Sequence, residues 1–260
     1  MCIRDRLGTH ALAAVSGMFP VVFFFVSLII GLGSGASVLI GQAWGAREPH
    51  KVKKIAGTAI ALGALIGLVA AVVGSVFARE AMTALGTPAD VLDDATDYAR
   101  MMMLFMPLLL VFILLTQLLR GVSDTVSPLL ALLVSTTVGL ALTPLLIKGW
   151  IGLPPLGIRS AALAGFISQL AALAFLAVRL RRLGHVLAPD RELLRDLRLD
   201  RRILGPVLRI GLPTGLQMVV ISLSELVILS LVNRHGSQAT AAYGAVSYTH
   251  LRAHETSLHI

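Results

Sequence analysis

MMMLFMPLLLVFILLTQLL, residues 101–119, is a run of 19 residues without a charged side chain. About 20 apolar residues in an α-helix cross the ~30 Å hydrocarbon core of a membrane. Similar stretches recur along the chain, and the six predicted spans are approximately 18–42, 54–78, 99–119, 126–147, 160–178 and 207–232. The composition agrees, with 56% hydrophobic residues, 14% charged residues and a mean hydropathy of +0.85. The sequence therefore predicts an all-α polytopic membrane protein that has the lipid bilayer as its surroundings.

Lysine and arginine are distributed unevenly between alternate loops. The loops 45–54, 120–124 and 179–209 hold 14 of them, whereas the loops on the opposite side hold 5. Positive residues accumulate on the cytoplasmic side of membrane proteins. We therefore expect a bacterial-type inner (plasma) membrane protein whose basic linker, residues 185–206, is cytoplasmic. Because this charge sets topology, no nucleic-acid partner is predicted, and nothing indicates an obligate protein partner.

The two ends of the chain resemble translated sequencing adapter. MCIRDR (1–6) and the tail that begins VSYTHLRAHET (246–260) back-translate to opposite strands of one transposon end used in sequencing libraries. We therefore expect both segments to be artefacts and exclude them from the fold. The single cysteine, Cys2, lies in the first segment, so no disulfide or thiol chemistry is expected.

A weak internal repeat predicts the domain organisation. LGTHALAAVSG (7–17) and HGSQATAAYGA (235–245) align with four identities at an offset of 228 residues. Parallel repeats of this size are typical of transporters. We expect two six-helix lobes in the full protein, of which this chain holds spans two to seven. The expected parts are an N-terminal lobe without its first span (7–184), a cytoplasmic linker helix (185–206) and the first span of the C-terminal lobe (207–245).

The linker is predicted to contain a short surface helix. Asp190 follows Pro189 and can cap the helix, and several leucines fall roughly on one face. These leucines are Leu193, Leu194, Leu197 and Leu204.

Four segments carry a resemblance to a known family. They are GLGSGASVLIGQAWGA (31–46), LLRGVSDTVSPLL (118–130), LPPLGIRSAALAG (153–165) and RIGLPTGLQ (209–217). In this order and spacing they resemble the MATE (multidrug and toxic compound extrusion) transporters. The resemblance implies two lobes that alternate between inward- and outward-open states. It also implies secondary active antiport of cationic or amphipathic drugs against H⁺ or Na⁺, with no cofactor besides the coupling ion.

Glu225 is the candidate coupling residue. It lies inside ISLSELVILSLV (221–232), where a carboxylate is costly and in most proteins functional. Gln217 and Glu225 share a helical face, and Ser222 lies three residues before the glutamate. We predict that these three residues bind the cationic substrate and the coupling ion in turn. The structural alternative is a protonated glutamate that is hydrogen-bonded to a neighbouring helix.

Other residues are assigned to the transport path on residue type alone, which is less specific. Long polar or thioether side chains could line a cavity, and glycine or proline could kink or gate a helix. The first set is Met103, Gln117 and Gln42, and the second is Gly31, Gly33, Gly35, Pro107 and Pro213. Close helix packing is the structural alternative for the glycines, and core or lipid-facing positions are the alternative for most of the methionine-rich segment 101–106.

Two positions depart from the family pattern. Many relatives have a carboxylate eight residues after the proline of the sixth visible span, and here that residue is Ile221. An Asn–Asp cation site of some relatives is replaced by Gly139 and Thr143, so that site is not implied.

Three other classes of protein were weighed against the antiporter. A lipid-linked oligosaccharide flippase or polysaccharide exporter of the same superfamily remains the alternative, although it should line its cavity with arginine or lysine. A channel is a further alternative. An enzyme is not predicted, because the native histidines lie in loops and no catalytic constellation appears.

Overall fold

The computed structural model describes residues 8–84, 92–148 and 158–233. Within these ranges the chain forms eight helices. They are α1 (Gly8–Gly45), α2 (Pro49–Val76), α3 (Ala78–Ala84), α4 (Leu92–Gly121), α5 (Val126–Lys148), α6 (Ile158–Arg182), α7 (Arg191–Arg195) and α8 (Arg201–Asn233). The chain divides into two compact units, Met1–Leu216 and Gln217–Ile260, and the packing described below lies within the first.

Six of the described helices are long and apolar enough to cross a membrane. The candidate spans are Val22–Gly45, Pro49–Val76, Thr96–Gly121, Val126–Leu146, Ala162–Arg182 and Arg201–Ile221. Each overlaps one span predicted from the sequence, so the all-α polytopic membrane fold is confirmed. Five of the six helices begin before the predicted span, and two of these five, α2 at Pro49 and α8 at Arg201, begin at the basic surface. Their first turns are basic, and long cationic side chains tolerate this depth because their heads reach the membrane surface.

Helix α4 is the centre of the first unit. It packs against α1, α2, α3 and α6, while α5 packs mainly against α6. Its large fully buried side chains are Met103, Met106, Leu110, Leu114, Leu118 and Leu119. Lipid tails are as apolar as these side chains, so association of α4 with its neighbours depends on close van der Waals packing.

Glycines on α2 allow this close packing. A Cβ atom built on Gly67 would lie 2.5 Å from Pro107 Cα in α4. Equivalent atoms on Gly63 and Gly74 would lie 2.7 Å from Leu114 Cδ2 and 2.5 Å from Met103 Sδ. Heavy atoms do not approach so closely. At Gly67 the contact is with backbone atoms, so this position accepts only glycine at the observed separation of the helices, whereas the side chains of Leu114 and Met103 can rotate away from a methyl group at Gly63 or Gly74.

Three helices end in the same backbone motif at one surface of the unit. Arg47, Ser123 and Gly184 follow α1, α4 and α6 with φ values of 58°, 64° and 58°. Each donates its N–H to the carbonyl three residues back, and the next residue donates to the carbonyl five residues back, at 2.9–3.2 Å. This is the Schellman motif, in which a left-handed residue satisfies the last carbonyls of a helix. It turns the chain sharply at the side where the sequence concentrates its basic residues.

The contact between Gly67 and Pro107 generates a stability prediction. Gly67→Ala should lower the free energy of unfolding by about 1–3 kcal/mol, because the new methyl group meets backbone atoms that cannot rotate away. Thermal unfolding of the purified protein in detergent measures the change.

Gly165→Ala in α6 is the matched control. Its Cβ would meet nothing within 4 Å, so it should be neutral or stabilise by up to ~1 kcal/mol through helix propensity. Equal destabilisation by both substitutions would contradict the packing argument.

Candidate functional site

The predicted coupling face lies on α8. The helix continues without interruption to Asn233, so positions 217, 221 and 225 keep one face of a regular helix. Gln217 is exposed, and Ile221 is 45% exposed. The side chains of Ser222 and Glu225 lie outside the residues that the structure describes, so their role as coupling residues stays a prediction.

Gln117 of α4 and Gly33 of α1 are brought into contact. A Cβ on Gly33 would lie 3.0 Å from both Cβ and Cγ of Gln117. The Gln117 Oε1 accepts a hydrogen bond of 3.0 Å from Arg120 Nη1, one turn later on the same helix. Gln117 is half-buried, so its amide lies at the α1–α4 contact with a cation beside it.

Gly31 and Gly35 form a contact between α1 and the first part of α8. A Cβ on Gly31 would lie 2.4 Å from Gly215 Cα, and one on Gly35 would lie 2.5 Å from the carbonyl oxygen of Val207. Gly211 of α8 lies against the same stretch of α1. The four-residue spacing of glycines on both helices therefore produces close packing, which is the structural alternative named above; their gating role stays a prediction.

The remaining predicted residues differ in burial and in their position within the helices. Met103 is fully buried between α4 and α2, with its thioether against Gly74, and its cavity-lining role stays a prediction. Gln42 is exposed in the last turn of α1. Pro107 and Pro213 lie inside α4 and α8, where each removes one backbone hydrogen bond. Sequence periodicity could not show which methionine of segment 101–106 faces the core.

A small cavity of about 220 Å³ lies between α4 and α6. Its walls include Tyr98, Met102, Phe105, Phe166 and Gln169. The rings of Phe105 and Phe166 stack with centroids 4.3 Å apart, and Gln169 Nε2 is buried without a hydrogen-bond partner among the described residues. Met102 and Phe105 belong to the methionine-rich segment, whereas the aromatic pair and the amide come from two helices that only folding brings together.

Comparison with known proteins identifies the family. The family model described as MatE matches residues 1–145 of the 260-residue chain. The chain belongs to the MatE family.

Two curated relatives and one solved structure are similar to this MatE chain. It is 42% identical over 247 residues to a probable multidrug resistance protein, YoeA, of Bacillus subtilis, covering 95% of this chain and 53% of the relative. It is 30% identical to the FAD transporter of Shewanella oneidensis, covering 93% of this chain and 53% of that protein. The crystal structure of MATE in complex with MaD3S matches its fold with a TM-score of 0.82 at 24% identity, covering 94% of this chain and 54% of that one. The MatE chain thus spans about half the length of the curated relatives it matches.

The linker of the MatE chain is fixed to α2 by ion pairs. Lys53 Nζ lies 2.5 Å from both Asp190 Oδ2 and Glu192 Oε2, and His50 Nδ1 lies 2.5 Å from Glu192 Oε1. Lys54 Nζ pairs with Asp200 Oδ2 at 2.7 Å. The basic first turns of α2 therefore meet the acidic residues of the linker directly.

Backbone packing supports the same attachment. A Cβ on Gly57 of α2 would lie 2.3 Å from the carbonyl oxygen of Asp196.

Asp190 caps α7 as predicted, since its Oδ1 accepts a hydrogen bond of 2.8 Å from Leu193 N–H. The predicted leucine face does not form, because α7 has only five residues: Leu193 is buried, whereas Leu194 is 56% exposed.

Contacts in the folded protein favour the ionised form of the linker carboxylates. The backbone N–H of Leu193 and the ammonium group of Lys53 hold the pKa of Asp190 below its usual value. Hydrogen bonds from Lys53 and His50 lower the pKa of Glu192. A carboxyl group whose pKa is lowered by folding stabilises the folded state above its unfolded pKa, and this contribution is lost as the pH falls through the folded pKa.

Lys53→Gln should therefore loosen the linker. We expect hydrogen exchange of the amides in 190–200 to become roughly two- to fivefold faster at pH 7, because an ion-paired cation is lost. In the wild type the same protection should be present above about pH 4 and should disappear below it.

Lys51→Gln is the matched control for this measurement. Lys51 pairs with Glu48 at 3.0 Å within the same turn and not with the linker. Exchange in 190–200 should be unchanged in this variant, and equal acceleration in both variants would mean that only the net charge of α2 matters.

Proposed function

We propose that the full-length protein is a secondary active antiporter that exports cationic or amphipathic drugs and toxic compounds in exchange for H⁺ or Na⁺. Membership of the MatE family supports this proposal, as does 42% identity to a probable multidrug resistance protein. We place it as a multi-pass protein of the bacterial inner membrane with the basic linker in the cytoplasm, following the distribution of lysine and arginine.

One observation carries the mechanism: within a helix of 33 residues, a glutamate is the only charged residue of positions 210–233. In our proposal Glu225 binds the cationic substrate when it is ionised, with Gln217 and Ser222 supplying hydrogen bonds. Arrival of H⁺ or Na⁺ neutralises the same group and releases the substrate. Competition for one negative charge couples the two fluxes and requires no covalent chemistry.

The charge of the substrate separates this proposal from its alternative. A flippase or exporter of phosphate-bearing lipids, or a carrier of an anion such as FAD, needs cations in its binding cavity. The predicted spans hold a carboxylate and no lysine or arginine away from their ends. A cationic substrate therefore suits the chain better than an anionic one.

Efflux of ethidium tests this function. The full-length protein would be expressed in cells that lack their own efflux pumps, and efflux would be followed by fluorescence under an imposed Na⁺ or pH gradient. Glu225→Gln should reduce efflux by at least tenfold, because the uncharged amide can neither attract the cation nor exchange it for the coupling ion. The gradient to which the wild type responds identifies the ion.

Glu48→Gln provides the matched loss of one carboxylate, at an exposed position outside the predicted path, and should transport normally. Normal efflux by Glu225→Gln would assign the glutamate a structural role. Uptake of FAD into inverted vesicles without ethidium efflux would overturn the choice of a cationic substrate.

A further inference from the structure

An open cavity of about 990 Å³ lies beside the ends of three helices. Its wall is built from the last turn of α1, the first turns of α2, and the segment that follows α6. All three helices are candidate membrane spans, and these ends define one surface of the predicted membrane. The cavity is therefore at the depth of the lipid headgroups and within the basic side of the chain.

The wall of this cavity carries more positive than negative charge. Arg47, Lys53 and Arg181 line it, against one carboxylate, Asp190. That carboxylate is already occupied, because Oδ2 binds Lys53 Nζ and Oδ1 accepts the N–H of Leu193. Burial lowers the pKa of His185, another wall residue, so its imidazole is neutral at pH 7. The uncompensated charge belongs to the two arginines.

Both arginines have N–H donors without a partner among the described residues. Arg181 uses Nε and Nη2 to donate to the carbonyl oxygen of Pro189, at 3.0 and 2.8 Å, and its Nη1 has no partner among the described residues. Arg47 has no hydrogen bond or ion pair to any described side chain. A guanidinium group with free donors binds a phosphate through two parallel hydrogen bonds.

The backbone at Arg47 is unusual for an arginine. Its φ of 58° places it in the left-handed region at the position of the Schellman motif that glycine normally occupies. The third such motif on this surface has glycine there, Gly184, which also lines the cavity. A non-glycine residue in this conformation destabilises the fold relative to glycine. Destabilising backbone conformations of this kind concentrate at functional positions.

The apolar part of the wall matches a lipid rather than a soluble anion. Trp44 lies at the end of α1, is 44% exposed and lines the cavity. Tryptophan prefers the headgroup level of a membrane. Val186 and Ala188 also line the cavity, and Leu183, which precedes them in the chain, is 59% exposed. A lipid phosphate bound at the arginines would thus have apolar surface available for its acyl chains.

We propose that this cavity binds the phosphate group of an anionic phospholipid from the adjoining leaflet, with Arg47 and Arg181 as its ligands. Basic pockets between transmembrane helices are suited to such headgroups. Bound lipid would join the ends of α1 and α6 to the linker, which Arg181 and Lys53 already hold. This site is separate from the coupling residues on α8 and does not depend on the transported substrate or ion.

Native mass spectrometry of the purified full-length protein tests the site. The protein in detergent would be titrated with phosphatidylglycerol, with phosphatidylcholine of the same acyl chains, and with inorganic phosphate. The wild type should bind one phosphatidylglycerol in preference to phosphatidylcholine. Arg47→Gln should weaken that first binding event about fivefold, the effect of one cation near a membrane surface.

Arg182→Gln is the matched control, because it removes one arginine charge at the end of α6, on the same surface of the unit, at an exposed residue outside the cavity wall. It should keep the preference for phosphatidylglycerol, and thermal unfolding would verify that both variants are folded. Equal weakening by both substitutions would reduce the effect to general surface charge and overturn the site. Competition by millimolar inorganic phosphate would overturn the lipid as the source of the phosphate group, and the absence of any preference in the wild type would overturn the proposal entirely.

Discussion

The close approach of helices at glycine is the interaction on which the rest of this structure depends. In a soluble protein the hydrophobic effect drives helices together. In a membrane, lipid tails surround apolar side chains as favourably as a neighbouring helix does. Association then requires surfaces that fit closely enough to gain dispersion energy. On α2, Gly67 allows its backbone to lie against Pro107 of α4. On α1, Gly31 does the same against Gly215 of α8.

This packing also decides what the polar residues can do. Because α1 and α2 lie so close to α4, Met103 of α4 fills the space between the helices and Gln117 lies at its edge. The centre of the described unit is therefore a dense apolar core.

One membrane surface of the unit is organised by polar interactions instead. Schellman motifs end α1, α4 and α6 there, and ion pairs join α2 to the linker. Water and headgroups screen charges at this depth, so single ion pairs contribute little. Lys53 is different, because it is mostly buried and binds two carboxylates whose pKa values it lowers. Lys53 is thus the shared cation of this attachment, beside the more exposed pairs that His50 and Lys54 form with the linker.

The sequence alone determined the membrane fold, the six spans and the cap at Asp190, because these follow from local composition and from hydrogen bonds within a few residues. It also singled out Glu225, since a carboxylate in an apolar helix is conspicuous without any structure. Tertiary structure alone decided that Met103 is buried, that Gly31 meets α8, that Lys53 binds residues 137 and 139 positions away, and that Arg47 and Arg181 share a cavity. A helix rotates its side chains by about 100° per residue. Its sequence therefore states which residues share a face, whereas the choice of neighbour for each face depends on how the helices pack.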